Sequence, residues 1–336
     1  MRSDDKAIRI IGDWLPSFQT NHPFGGICIG NLECAFSDVK ISSYKAYSAI
    51  LPQECIENVI SSNFAALSVA NNHSADAYNF QSTVKELQTR APQIQFFGTN
   101  KKPYAEFIVG RRNIAVIGCL EKCRSRMSEL FPEEAVLTLI PSLKTKYDIV
   151  YIYPHWGKES EYTRYPNPRQ IKLAHKWIDV GADGVFGSHS HVFQGYEEYH
   201  GKPVFYSLGN FFFPHPESKL YPGTDLGMTV EITPSTGDYH PHFHRFDESG
   251  FYAIQNESDI HTLLQQISTI LSSWNYRKWG KEIGGFYIRK NMASWRKRMW
   301  KKFPINFLKF LVWNIMPLTV WFRICSMVSP KTVSND

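Results

Sequence analysis

Side chains of the types that bind metal ions follow several short apolar segments of this 336-residue chain, directly after each segment ends. Carboxylate, imidazole and amide oxygen together suit hard or borderline divalent ions such as Mn, Fe, Zn or Mg, whereas softer metals favour thiolate. The candidate metal ligands are Asp13, Glu33, Asn72, His155, His189 and His191. Their joint placement predicts a divalent metal site.

The chemistry expected of such a site is hydrolysis. His189 and His191 are two residues apart after the small Gly187, so an irregular backbone can direct both imidazoles into one pocket. Glu33 can bridge two ions, and a pair of ions lowers the pKa of a shared water and binds a tetrahedral transition state. His73 would serve as general acid or electrostatic partner at the leaving group.

Short β-branched and apolar runs predict strands that are buried on both faces. Helical periodicity between several of them indicates a mainly parallel sheet covered by helices, with its functional residues at the carboxyl ends of the strands. The predicted strands span 7–11, 26–29, 65–69, 114–117, 148–153, 184–186 and 204–206, with extended segments at 228–232 and 240–246. The predicted helices span 52–61, 79–90, 168–180 and 260–271.

Composition indicates a packed globular protein, with 43% hydrophobic and 20% charged residues. Six scattered cysteines form no C-x-x-C pair, which favours free thiols in a reducing compartment. The charged first residues lead directly into the strand at 7–11, so no signal peptide is expected. We therefore expect a cytoplasmic protein, with peripheral contact to the inner face of the membrane as an open alternative.

The motifs occur in an order and spacing that resemble a known family. The resemblance spans about residues 7–232, and the motifs are Gly12-Asp13, Asn31-Leu32-Glu33, Ala70-Asn71-Asn72-His73, His155-Trp-Gly-Lys-Glu159, Gly187-Ser-His189-Ser-His191 and the segment from Gly201 to Phe211. They resemble the bacterial CapA family of poly-γ-glutamate capsule synthesis proteins, a branch of the calcineurin-like metallophosphoesterases.

The resemblance implies an α/β fold, a four-layer α/β/β/α sandwich over residues 1–250, whose metal site holds one or two divalent ions. It implies that His73 is the catalytic histidine and that Glu159 and Asn210 are supporting polar groups. Leu15 stands where classical members of the superfamily have a histidine, which predicts that one metal position is weak or absent.

The function implied is biosynthesis of a capsule or surface polymer, poly-γ-glutamate or polysaccharide, by hydrolysis of phosphoester or related bonds. An anionic polymer or a phosphoester is the expected substrate. The alternative is a non-catalytic polymer-binding or membrane-scaffold component, motivated by Leu15 and by the C-terminal segment. A third hypothesis is formation or cleavage of amide bonds in a γ-linked peptide polymer.

Residues 251–336 are predicted to form a basic helical extension. Ten of the 37 basic residues lie between Ile283 and Asn335, where no carboxylate occurs. Basic residues beside Trp and Leu at 289–328 suit contact with an anionic membrane surface. The open alternative is packing on the sandwich or on a partner chain. Nucleic acid is not an expected partner, because no nucleic-acid-binding module is visible.

Three histidines alternate along the predicted extended segment at 240–246, namely His240, His242 and His244. Alternate residues of a strand share a face, so the three imidazoles could form a further metal site. Pro241 lies within the segment and no carboxylate partner is apparent. We therefore expect an exposed strand face.

Overall fold

The structure is a computed structural model that describes residues 7–19, 25–39, 48–77, 79–121, 127–214, 221–247, 250–254 and 257–272. The strands are β1 Ile8–Trp14, β2 Ile27–Leu32, β3 Ala35–Phe36, β4 Ile50–Leu51, β5 Ala66–Ser68, β6 Gln95–Phe97, β7 Tyr104–Val109, β8 Arg112–Leu120, β9 Ile149–His155, β10 Gly184–Phe186, β11 Tyr196–Tyr199, β12 Lys202–Phe205, β13 Asn210–Phe212, β14 Leu226–Ile232, β15 Tyr239–Asp247 and β16 Gly250–Ala253. The helices are α1 Ile56–Ile60, α2 Phe80–Arg90, α3 Glu133–Lys144, α4 Pro168–Asp179 and α5 Ser258–Ser272.

Two large mixed sheets form the centre of the described fold. The first has the strand order β16-β15-β14-β1-β2-β5-β6, with β13 also paired to β1, and the second has the order β11-β12-β10-β9-β8-β7. β1, β2, β5 and β6 are parallel, as are β8, β9, β10 and β12. The carboxyl ends of each parallel group therefore meet at one edge.

The two sheets pack face to face. Tyr153 of β9 donates a hydrogen bond from its hydroxyl to the carbonyl oxygen of Ile11 in β1. A Cβ on Gly118 of β8 would lie 2.9 Å from Ser68 Oγ in β5, so this glycine permits the close approach of the sheets. The strand-helix alternation by itself predicted one mainly parallel sheet, whereas the described residues form two large mixed sheets and a small two-stranded sheet of β3 and β4.

Helices cover both sheets. Ile56 and Val59 of α1 and Leu87 of α2 pack into the hydrophobic cluster of the first sheet. On the second sheet, α4 buries Trp177, whose ring stacks on Trp156 at a centroid distance of 5.2 Å. The α/β/β/α sandwich is thus confirmed.

Local sequence explains where α4 begins. Asn167 accepts a hydrogen bond from the backbone N–H of Gln170, and the Gln170 side chain accepts one from the Asn167 backbone. This reciprocal pair satisfies two N–H groups that a helix N-terminus otherwise leaves without partners. Pro168 follows at a position where its fixed φ favours the helix.

The expected exposed strand face holds for His240 and His242 but is wrong for His244, which is buried. His244 lies directly opposite Gly227 in the β14–β15 pair. A Cβ on Gly227 would lie 2.3 Å from His244 Nε2, so the missing side chain provides the space for the imidazole.

All the residues that the structure describes belong to one compact unit. α5 lies within residues 251–336, and its Ser268 hydroxyl accepts a hydrogen bond from the Tyr196 backbone N–H in β11. The division of the chain at residue 250 stays a prediction. The basic segment 289–328 lies outside the described residues. Within the described ranges, no helix combines the length and apolar character that crossing a bilayer requires.

Candidate metal centre

The predicted ligands come together between the two sheets. Asp13 lies near the end of β1 and Glu33 directly after β2, while His155 is the last residue of β9. The loop after β10 supplies His189 and His191. The described residues contain two groups of ligand atoms that lie within 4.8 Å of one another, and Glu33 belongs to both.

The first group consists of Glu33, His155 and His189. His155 Nε2 lies 3.3 Å from Glu33 Oε1 and 2.5 Å from the side-chain oxygen of Asn72. The His155 and His189 rings have centroids 4.6 Å apart. The structure thus brings Asn72, predicted as a ligand, next to this group.

The second group consists of Asp13, Glu33 and His191. Asp13 and Glu33 are both fully buried, and burial, followed by the charge of Glu33, raises the pKa of Asp13 well above its usual range. Burial likewise raises the pKa of Glu33. Two adjacent buried carboxylates disfavour double ionisation unless positive charge is supplied.

Glu33 provides the strongest test of whether these residues fit a cation. Both of its carboxylate oxygens are buried, and neither accepts a hydrogen bond from a described residue. A buried carboxylate without donors is costly, and such groups in proteins are normally paired or coordinate metals. The donor set around Glu33 therefore fits a divalent cation.

Asparagine side chains orient the ligands. Asn31 donates to Asp13 Oδ1 at 2.8 Å, and Asn71 donates to the Asn31 side-chain oxygen at 3.1 Å. The Asn71 side-chain oxygen accepts the backbone N–H groups of His73 and Ser74. This network connects the ends of β2 and β5, and it explains the positions of Asn31 and Asn71 beside the predicted ligands.

His73 is paired with a residue that the sequence analysis missed. Its Nδ1 lies 2.7 Å from Asp76 Oδ2, and both side chains are buried. Asp76 Oδ2 also lies 3.2 Å from the backbone N–H of Ala49, which can donate to it. The His73 charge acts on Glu33, so the pair lies beside the metal groups. Asp76 follows His73 by three residues, and this spacing was the sequence feature that could have indicated the pair.

Two of the histidines have unusual backbone conformations. His189 has φ of 93° and His191 has φ of 56°, in the left-handed region that non-glycine residues rarely adopt. The His189 backbone N–H donates to Asp13 Oδ2 at 3.0 Å, which holds this loop against β1. Such strain concentrates at functional sites, where surrounding contacts maintain it.

The role predicted for Glu159 stays a prediction, because its side chain lies outside the described part of the structure. The neighbouring Glu161 is buried and lies close enough to Glu33 to raise the pKa of that carboxyl group. Tyr162 follows with φ of 60°, and its ring stacks on His191 at a centroid distance of 5.2 Å. Neither Glu161 nor Tyr162 is among the residues predicted from the sequence.

Leu15 is only 3% exposed and packs into the hydrophobic cluster of the first sheet.

Asn210, expected as a supporting group, places its side-chain oxygen 2.9 Å from His191 Nδ1.

Comparison with known proteins agrees with these motifs. The model of the family described as "Bacterial capsule synthesis protein PGA_cap" matches residues 7–215, which is more than half of the chain. The chain belongs to this family. The resemblance to capsule synthesis proteins is therefore confirmed, and the PGA_cap match includes all six predicted metal ligands.

Two curated relatives carry names that agree with the PGA_cap match. "PGA biosynthesis protein CapA" of Bacillus subtilis (strain 168) is 33% identical over 176 residues, covering 48% of this chain and 46% of the relative. "Capsule biosynthesis protein CapA" of Bacillus anthracis is 29% identical over 178 residues, covering 48% and 43%. The aligned part thus spans less than half the length of each relative.

Among solved structures, one described as a novel phosphatase from Mycoplasma pneumoniae aligns with 73% of this chain and 94% of its own. The sequence identity is 10% and the TM-score is 0.46. A likeness at this level carries no conclusion about activity.

Proposed function

We propose that this PGA_cap chain is a metal-dependent hydrolase of phosphoester or related bonds that serves the synthesis of a capsule or another surface polymer. The observation that carries the proposal is Glu33, a fully buried carboxylate that accepts no hydrogen bond from a described residue and belongs to both ligand groups. Family membership supports the polymer context.

The two groups divide the ligands unequally. Glu33, Asn72, His155 and His189 would hold one ion, whereas only Asp13, Glu33 and His191 would hold the other. Leu15 is packed in the core and offers no ligand atom. We therefore expect one tight position and one weaker position. Divalent ions bound there would polarise a phosphoryl oxygen and activate a water molecule.

A hydrogen bond to Asn210 determines the tautomer of one proposed ligand, His191. The Asn210 side-chain nitrogen donates to Thr224 O at 2.8 Å, so its oxygen is the atom that faces His191 Nδ1 and accepts its proton. The lone pair of His191 is then on Nε2. His155 Nδ1 lies 3.1 Å from the Ser188 hydroxyl and 3.2 Å from the Asn31 side-chain nitrogen, which can donate to it.

His73 is proposed to transfer a proton to the leaving group. If Nδ1–H donates to Asp76, the second ring nitrogen of His73 is the one available for proton exchange with substrate. The negative charge of Asp76 stabilises the imidazolium form, as carboxylates do for catalytic histidines in general.

The test combines metal analysis with turnover of the generic phosphodiester bis(p-nitrophenyl) phosphate. The purified full chain should bind Mn²⁺ with one tight and one weaker constant, and hydrolysis should require added Mn²⁺. His155→Ala and Asn72→Ala should remove the tight position and abolish hydrolysis, because both residues belong to the larger ligand group. His242→Ala, at an exposed histidine, is the matched control.

Absence of transition metal above trace, with His155→Ala indistinguishable from wild type, would contradict the proposal. The alternative of a non-catalytic polymer-binding or scaffold component is favoured by one observation, the buried Leu15 at a position expected to carry a ligand. Tight binding of a single Mn²⁺ ion without measurable hydrolysis would support that alternative.

A further inference from the structure

His244 is a buried imidazole on β15 to which the proposed function gives no role. It is 1% exposed and lies opposite Gly227 of β14. A Cβ on Gly227 would lie 1.9 Å from the Asn210 carbonyl oxygen and 2.3 Å from His244 Nε2. The glycine thus allows the imidazole and this carbonyl group to approach each other across the strand.

His244 Nε2 lies 3.1 Å from the Asn210 carbonyl oxygen. A carbonyl oxygen only accepts, so Nε2 carries the proton and donates it. Burial lowers the pKa of His244 to about 4, so the ring is neutral at ordinary pH, and the contact with Asn210 O places its one proton on Nε2. His244 consequently acts as a fixed donor to the backbone of Asn210.

Asn210 connects His244 to the candidate metal centre. It is the first residue of β13 and pairs with Asp13 in β1. Its side chain is held between Thr224 O and His191 Nδ1, at 2.8 and 2.9 Å. The backbone and the side chain of Asn210 are thus both fixed, and the orientation of the His191 ring depends on them.

We infer that His244 is a positioning residue for the metal centre, which acts through Asn210 to hold His191 in the Nδ1–H tautomer. The inference rests on the proposed function, because it concerns the weaker of the two proposed metal positions. Groups that orient a metal-binding histidine typically change metal affinity by 10–100-fold when removed.

The experiment compares three variants of the full chain. His244→Leu removes the donor, and His244→Gln keeps an N–H donor of similar reach. Phe243→Leu opens a cavity at the adjacent buried residue, whose side chain lies on the opposite face of β15 from His244. Calorimetric titration with Mn²⁺ measures both affinities. Nitrogen-15 NMR of the metal-free protein reports the tautomer of His191 independently of metal binding.

We expect His244→Leu to weaken the lower-affinity Mn²⁺ position roughly tenfold and to mix the tautomers of His191. His244→Gln should restore much of the affinity, and Phe243→Leu should change stability but neither readout. The inference about His244 would be wrong, with the proposed function untouched, if wild type and His244→Leu had the same Mn²⁺ affinities and the same His191 tautomer. It would also be wrong if Phe243→Leu lost as much Mn²⁺ affinity as His244→Leu. Failure of the wild type to bind Mn²⁺ would overturn the proposed function as well.

Discussion

The residues of the candidate centre illustrate how burial turns ordinary polar groups into a cation site. Asp13 and Glu33 are fully buried, and the pKa of each is raised chiefly by burial. Asn31 is the side-chain donor to Asp13, whereas Glu33 accepts no hydrogen bond from a described residue. In such surroundings carboxylates stay ionised only next to positive charge, which bound cations would supply.

The pair of His73 and Asp76 leads to a prediction about rate. Asp76→Asn removes the charge that orients and stabilises the His73 imidazolium, so Mn²⁺-dependent hydrolysis should fall roughly 10²-fold. Mn²⁺ content should not change, since neither residue belongs to a ligand group. Initial rates and metal analysis of the same preparation measure both quantities.

His73→Asn should cause a comparable loss, and the double variant should lose little more, because two residues that act as a unit are not additive. Additive losses would show that Asp76 acts independently of His73.

Among the helices and strands, α3 shows what local patterns can miss. The sequence analysis predicted no helix at 133–144, and Pro141 lies inside this helix, where a proline removes one backbone hydrogen bond. Burial of Val136, Ile140 and Leu143 stabilises α3 in spite of the proline. Tertiary packing therefore outweighs the local preference.

Glu133, the first residue of α3, shares Arg169 of α4 with Glu121. Burial, opposed by Arg169 and reinforced by Glu121, raises the pKa of Glu133 from 4.5 to about 7. The folded state thus holds this proton more tightly than the unfolded chain does. The stability contributed by protonation is complete below about pH 4.5 and is lost as the pH rises through about 7.

Glu133→Gln should therefore be more stable than wild type at pH 8, by roughly 2–3 kcal/mol, and the difference should shrink towards pH 5. Arg169 keeps its bond to Glu121 in this variant. Urea unfolding in EDTA at both pH values measures the free energy. Glu134→Gln, at the exposed neighbour, is the control, and an equal effect there would contradict the assignment to Glu133.

At the scale of the whole molecule, the centre depends on the relation between the two sheets. Asp13 lies near the end of β1, and Glu33 and Asn72 follow other strands of the first sheet, whereas His155, His189 and His191 come from the second. The hydrogen bond from the Tyr153 hydroxyl to the Ile11 carbonyl oxygen connects the two sheets directly. The sheets therefore need a defined separation for the ligand atoms to converge.

Tyr153→Phe should lower the free energy of unfolding by about 1–3 kcal/mol, because the buried Ile11 carbonyl loses its donor. Tyr151→Phe removes a phenol oxygen from the same strand without breaking this bond and should cost less. Chemical denaturation of the metal-free proteins measures both. A larger loss in Tyr151→Phe would argue against the inter-sheet bond.

The sequence by itself determined the long parallel strands and the helices that start at clear signals, such as α4 after Asn167. It also indicated the candidate ligands, because polar residues follow apolar runs at recognisable spacings, and the structure brings the six candidates together. These features depend on residues that are close along the chain, where periodicity and capping act.

Only the tertiary structure decided which residues assist the ligands. Asp76 faces His73, Glu161 approaches Glu33, and His244 enters the core because Gly227 lies opposite. Each relation depends on a turn conformation or on pairing between strands. Apart from the three-residue spacing of Asp76 from His73, local sequence patterns do not indicate such contacts, because side chains meet there through packing and register rather than through spacing along the chain.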